Sequence, residues 1–142
     1  MTPSDTLNQS RLRFIVASEA VLTATALIGL NELWYSDYPQ SDFQFKNDNN
    51  EWLQMDKVGH VYASYQFGRI SSDMLAWSGV SKKNQLLYGA TYGFAFLTAV
   101  EVMDGYSEQW GFSWGDVAAN TTGTALYVSQ ELLWKEQRIQ PK

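Results

Sequence analysis

Apolar positions recur at steps of three and four along four stretches of the chain, separated by polar or glycine-containing breaks, which predicts helices rather than strands. The first stretch, Arg11 to Trp34, is mostly apolar or small. Glu19 interrupts a run that would otherwise suit a membrane-spanning helix. Residues 35–50 are dense in Asp, Asn, Ser and Pro, whose side chains or fixed backbone favour turns. They predict a loop, ending at Asn49 or Asn50 as the cap of the next helix. That helix should run from about Glu51 to Trp77, with Asp56, His60, Ala63, Phe67, Ile70 and Met74 on its inward face. Ser78-Gly79 breaks the pattern.

A third helix, capped by Ser81, is predicted to about Met103, its inward stripe reading Ala90, Phe94, Leu97, Glu101 and Asp104. Gly89, Ala90, Gly93 and Ala95 are small enough to admit a neighbouring helix closely. After a turn over Gly105–Phe112, Ser113 and Asp116 have the S-x-x-D spacing of a capping box. The fourth helix then extends to about Gln137, with Asp116, Asn120, Gly123, Tyr127, Gln130 and Trp134 inward. Residues 1–10 read as a flexible N-terminus and 11–140 as a single helical domain.

Short connections favour antiparallel neighbours. The fold class that follows is all-α, an up-down four-helix bundle embedded in or associated with a membrane. Up-down threading collects the end of helix one, the start of two, the end of three and the start of four at one pole. Asp56, Lys57, His60, Glu101, Asp104, Ser113, Asp116 and Asn120 should meet there, with Asn31 and Glu32 nearby.

Composition narrows what such a pole can do. At 142 residues the chain is one domain by size, and 15% aromatic content with 18% charge lies far from disorder. A net charge of -5 with ten scattered basic residues gives no phosphate-binding stripe, which excludes nucleic-acid partners. Without cysteine there is no disulfide, thiolate metal site or cysteine nucleophile. No phosphate-binding loop or serine elbow occurs, and the lone His60 rules out a paired-histidine zinc motif. No basic segment followed by an apolar core opens the chain, so an exported protein's leader, with any lipid-attachment cysteine, would be absent from this sequence.

Carboxylates and one imidazole at a common pole suit a divalent metal such as manganese, zinc or iron, with Asp56, His60, Glu101, Asp104 and Asp116 as candidate ligands. They also suit acid-base work, with His60, Asp56, Glu101 and Asp104 as catalytic candidates. Structural explanations compete. Asp116 fits a helix-start cap, Asp56 suits the positive end of its helix, and His60 alone fits a hydrogen-bonded core residue. Glu101 and Asp104 have no such explanation, since acids at a helix carboxyl end oppose its dipole. Asn120 and Gln130 read as polar glue between helices, and Trp110, Trp114 and Trp134 as core filler or an interfacial belt.

Several blocks together resemble a known family. W-Y-S-D-Y-P at 34–39, N-D-N-N-E-W-L-Q-M-D-K-V-G-H at 47–60, E-V-M-D-G-Y-S-E-Q-W-G-F-S-W-G-D-V-A-A-N at 101–120 and Q-E-L-L-W-K-E-Q-R-I at 130–139 are similar to the YfiM-type predicted periplasmic lipoproteins, domain of unknown function 2279, in their Bacteroidetes version. A more distant likeness is to VanZ-like membrane proteins, through Asp56, Lys57, His60, Glu101, Ser113, Asp116, Ala119 and Asn120. The chain departs from that pattern in Asp104-Gly105, in its tryptophan-rich turn and in a mean hydropathy of -0.28. Neither family brings an established reaction. The resemblance implies a cell-envelope location, periplasmic or outer-membrane associated, a membrane or envelope-protein partner, and a longer natural protein of which this is the helical part.

Two functions follow. The first and preferred one is a non-enzymatic envelope protein whose pole is a folding lock or docking surface. The alternative is a small membrane-associated metal-dependent hydrolase or transferase, with Glu101, Asp104 and Asp56 on the ion and His60 as base. A sealed, fully hydrogen-bonded pole would mean scaffold, and an open one with free lone pairs a site. A membrane setting also makes a demand. Glu19, Thr98, Asn120 and Gln130 must all turn inward, because an unpaired polar group in hydrocarbon costs several kcal/mol.

Overall fold

The computed structural model describes residues 2–142. Four rods pack together: α1 (Gln9–Leu33), α2 (Met55–Trp77), the short α3 (Lys82–Asn84) running through a π turn into α4 (Tyr92–Gly105), and α5 (Trp114–Leu133). The all-α bundle is the predicted one. Asn8 opens α1 by accepting the Arg11 N–H at 3.0 Å. Ahead of it, the Ser4 N–H donates to Ala76 O (3.2 Å) and the Asn8 N–H to Ser78 O (2.7 Å), so this segment lies across the end of α2.

α2 begins later than predicted. Asn49 and Asn50 do not cap it; the chain instead turns through the left-handed Leu53 (φ 51°) and Gln54 (φ 60°) before Met55. Backbone bonds Glu51 N–H to Asp48 O and Gln54 N–H to Glu51 O close that turn, leaving the Asp48 side chain for the pole.

α2 and α5 start at the same pole and run parallel, joined along their length by close approach. A Cβ on Gly123 would fall onto the Ser64 hydroxyl and the Val61 carbonyl, and one on Gly93 of α4 would stand 2.5 Å from Ser64 O. The largest fully buried apolar cluster is small: Tyr65, Ala90 and Tyr127. Around it the buried face of α2 reads Ser64, Gly68, Ser71 and Ser72. The predicted inward stripe of α2 is therefore rotated. Phe67 and Ile70 are 36% and 55% exposed, because the small Ser64, Gly68 and Ser72 line the seams where the neighbouring rods approach most closely. The stripes of α4 and α5 stand, except that Trp134 is exposed.

Ser81 occupies the predicted cap position but bonds no amide through its side chain. The third rod is interrupted at Gln85–Gly89, where the Ala90 N–H reaches Gln85 O at 3.0 Å. The cause is contact with α2. Gly89 has Ser72 backbone 2.7 Å from where a Cβ would sit, and the Ser72 hydroxyl donates to Gln85 O. α5 ends at Leu133 rather than Gln137, and Lys135 (φ 59°) turns the tail back. Gln130, expected as interhelical glue, instead holds this tail, its Oε1 accepting the Arg138 and Ile139 amides.

The seam yields a prediction. Gly123→Ala should lower stability by about 1–3 kcal/mol, as overpacking does. Gly29→Ala, with nothing within 4 Å of its Cβ, should be neutral or stabilising by about 0.5–1 kcal/mol. Thermal unfolding of the two variants beside the parent chain measures both.

Candidate functional site

The pole is assembled by backbone pairing before any side chain matters. The loop after α1 lies along the α4–α5 turn through Gln44 N–H to Gly105 O (2.8 Å), Lys46 N–H to Phe112 O (2.9 Å) and Phe112 N–H to Gln44 O (2.9 Å). Gly111, at φ 103°, permits the approach of Lys46, whose Cβ would be 2.7 Å from an added one. This pairing delivers Asp48 to the start of α5.

Ser113 caps α5 as its spacing predicted, its hydroxyl accepting the Asp116 N–H at 3.2 Å. The return half of the box is absent. The Ser113 N–H donates to Glu101 Oε2 at 3.2 Å, so Glu101 takes the place a capping Asp116 would have filled. The expected capping role of the Asp116 carboxylate is thereby corrected: it is 3% exposed and turned into the pole. Lys57 Nζ stands 2.7 Å from Asp48 Oδ1 and 2.8 Å from Asp116 Oδ1. Burial disfavours the Lys57 charge, but the two carboxylates outweigh it and raise its pKa. Burial likewise opposes ionised Asp48, whose bonds to Lys57 and Ser113 prevail and lower its pKa.

His60 Nδ1 lies 2.9 Å from Asn120 Oδ1. With the amide oxygen accepting, Nδ1 donates this bond and Nε2 faces the acids. Glu101 Oε1, Asp56 Oδ1 and Asp116 Oδ1 stand 3.4, 3.7 and 3.9 Å from that nitrogen. These distances are long for hydrogen bonds and suit atoms arranged around a shared ion. Ligand atoms of Asp56, His60 and Asp116 all lie within 4.8 Å of one another. Asp116 Oδ1 is buried, with the Lys57 ammonium 2.8 Å away as its cationic partner.

The group opens to a cavity of about 450 Å³, walled also by Lys46, Asp48, Glu51 and Trp110. Asp104 lines the same cavity, but its Oδ1 accepts the Tyr35 hydroxyl at 2.5 Å and it makes no ion pair with His60 among the described residues. Asn31 and Glu32 bond each other on the surface instead of joining the cluster. The three tryptophans are not one group. Trp110 stacks on Trp34, Trp114 on Phe45, and Trp134 lies under Arg138. Asp48 and Tyr35 were absent from the residues the sequence singled out. Tyr35 lies inside the W-Y-S-D-Y-P block, and Asp48 immediately precedes the asparagines read as caps.

An all-helical domain whose one open end gathers acids, a histidine and a lysine is the class that fold and site define. Residues 42–131 match the family described as predicted periplasmic lipoprotein, DUF2279. The chain belongs to that family, and with it to the cell envelope. No curated protein and no solved structure matches the chain.

Lys57 is the cation that the buried Asp116 and the half-buried Asp48 share, and removing it should leave both uncompensated. Lys57→Met is expected to cost about 3–5 kcal/mol in metal-free protein. Adding Asp116→Asn should restore a substantial part, which thermal unfolding of the single and double variants in chelator measures.

Proposed function

We propose that the pole is a divalent-cation centre performing metal-assisted hydrolysis or group transfer in the cell envelope. The observation that carries this reading is the convergence of the buried Asp116 Oδ1 with His60 Nε2, Asp56 Oδ1 and Glu101 Oε1 on an open cavity, where three acids meet one imidazole. Asp56, His60 and Asp116 hold the ion, one nitrogen and two oxygens suited to manganese, zinc or iron. Three protein ligands leave positions for water and substrate, the pattern of a catalytic rather than a structural site.

Asn120 fixes the histidine tautomer by accepting from Nδ1, the part an outer-shell residue plays for a metal-bound imidazole. His60 is on this account a ligand rather than the base. Glu101 takes the base role: its Oε2 is tied to the Ser113 amide, and its Oε1 is free to receive a proton from a bound water. The ion supplies the charge that makes such water acidic and polarises the bond attacked. A folding lock would be sealed; the open cavity weighs against a lock.

Equilibrium dialysis of chelator-stripped protein against manganese and against zinc is the test. One ion per chain is expected, with a rise in unfolding temperature. Asp116→Asn and His60→Gln should each weaken binding at least tenfold, and Asn120→Leu by about 10–100-fold. Glu101→Gln should retain the ion. No stoichiometric ion in the parent chain, or equal binding by Asp116→Asn, refutes the centre.

A further inference from the structure

We infer that the bundle sits across a lipid bilayer, with the acid–histidine pole at one interface. The basis is an inverted distribution of polarity. Large apolar side chains are exposed on every long helix: Phe14, Val21 and Ile28 of α1, Ile70 of α2, Val102 of α4 and Leu132 of α5. The buried positions between them are largely small or polar, including Ser64, Ser71, Ser72, Asn120 and Gln130. These exposed apolar residues belong to several helices rather than to one, as a solvent of hydrocarbon requires.

The mid-helix polar groups turn inward, although the Thr98 hydroxyl and the Asn120 amide nitrogen have no partner among the described residues. Asn120 and Gln130 are buried, the Thr98 hydroxyl is enclosed, and Glu19 accepts the Ser71 hydroxyl at 2.5 Å. Hydroxyls on exposed faces return to their own helix: Ser18 to Phe14 O, Thr91 to Leu87 O, Thr121 to Val117 O and Thr122 to Ala118 O. Gln9–Asp37 and Lys82–Gly105 are long and apolar enough to cross a membrane, and only 6% of the apolar window of the first is buried.

Charges stand at two levels. Arg13 to Glu32 spans about 28 Å of helix and Lys83 to Glu101 about 27 Å, close to the ~30 Å of a hydrocarbon core. Trp34 and Trp114 mark the pole's level, while Trp77 and Trp134 mark the other. α2 departs from this pattern: Arg69 and Asp73 lie about 12 and 6 Å short of its end at Trp77, and Arg69 bonds Gln140 of the returning tail.

Detergent-purified chain reconstituted with phosphatidylcholine vesicles tests the seating. It should float with the vesicles and stay with them through high salt and alkaline carbonate. Val21→Asp, on the exposed apolar face of α1, should cut the floated fraction several-fold while circular dichroism in detergent keeps the helix signal. Asp at exposed Gln9, at the helix end, should not. A chain that is monodisperse without detergent and fails to float overturns the inference, as does a discrete homo-oligomer that buries the same faces and stays off the vesicles.

Discussion

The close seam between α2 and α5 is the constraint on which the pole depends. Because Gly123 leaves no room for a side chain, the Val61–Ser64 turn of α2 comes directly against α5. One turn toward the pole, that spacing sets His60 against Asn120, and one further sets Lys57 against Asp116. A wider seam would lengthen both contacts beyond hydrogen-bonding reach. The glycine on the seam therefore acts on residues it never touches, and site geometry and packing are one property of the fold.

Electrostatics then distinguishes two halves of the same pole. Around Lys57 the carboxylates have a fixed cation: one ammonium faces both Asp48 and Asp116, and Ser113 ties Asp48 to the start of α5. Around His60 they do not. A single imidazole meets Asp56, Glu101 and Asp116, and the Ser113 amide is the one fixed donor for Glu101. Carboxylates so close repel one another unless protons or a cation intervene. The imbalance lies on the cavity side of the pole, where an ion from solution can enter.

Much of this was legible in the sequence, for reasons that can be named. The four rods and their breaks followed from periodicity, and the up-down threading brought Asp56, His60, Glu101 and Asp116 to one end. The capping spacing of Ser113 and Asp116 located the start of α5 correctly but misassigned the carboxylate, because a distant Glu101 competes for the same amide. No local rule contains that competitor. The α2 stripe failed for a different reason: helical spacing was read with large residues inward, whereas Ser64, Gly68, Ser71 and Ser72 fill the interior and Ile70 faces out. Asp48 was hidden because its role arises from pairing of the loop with the Gly105–Phe112 turn, a nonlocal backbone contact.

α1 shows most directly what kind of medium the packing suits. It is 25 residues long, yet Ile15 is its one buried residue. What joins it to the bundle is polar: Glu19 to Ser71, Thr23 to Tyr92 at 2.7 Å, and Arg11 to Trp77 O at 3.0 Å. In water such bonds exchange for bonds to solvent and contribute about 0.5–1.5 kcal/mol each, little to hold a helix whose apolar surface stays wet. In hydrocarbon the exposed Phe14, Val21 and Ile28 cost nothing, while an unpaired Glu19 would be costly, so the same few contacts suffice to select one face of α1. The bilayer seating inferred above thus accounts both for the sparse hydrophobic burial of α1 and for the inward turn of Glu19.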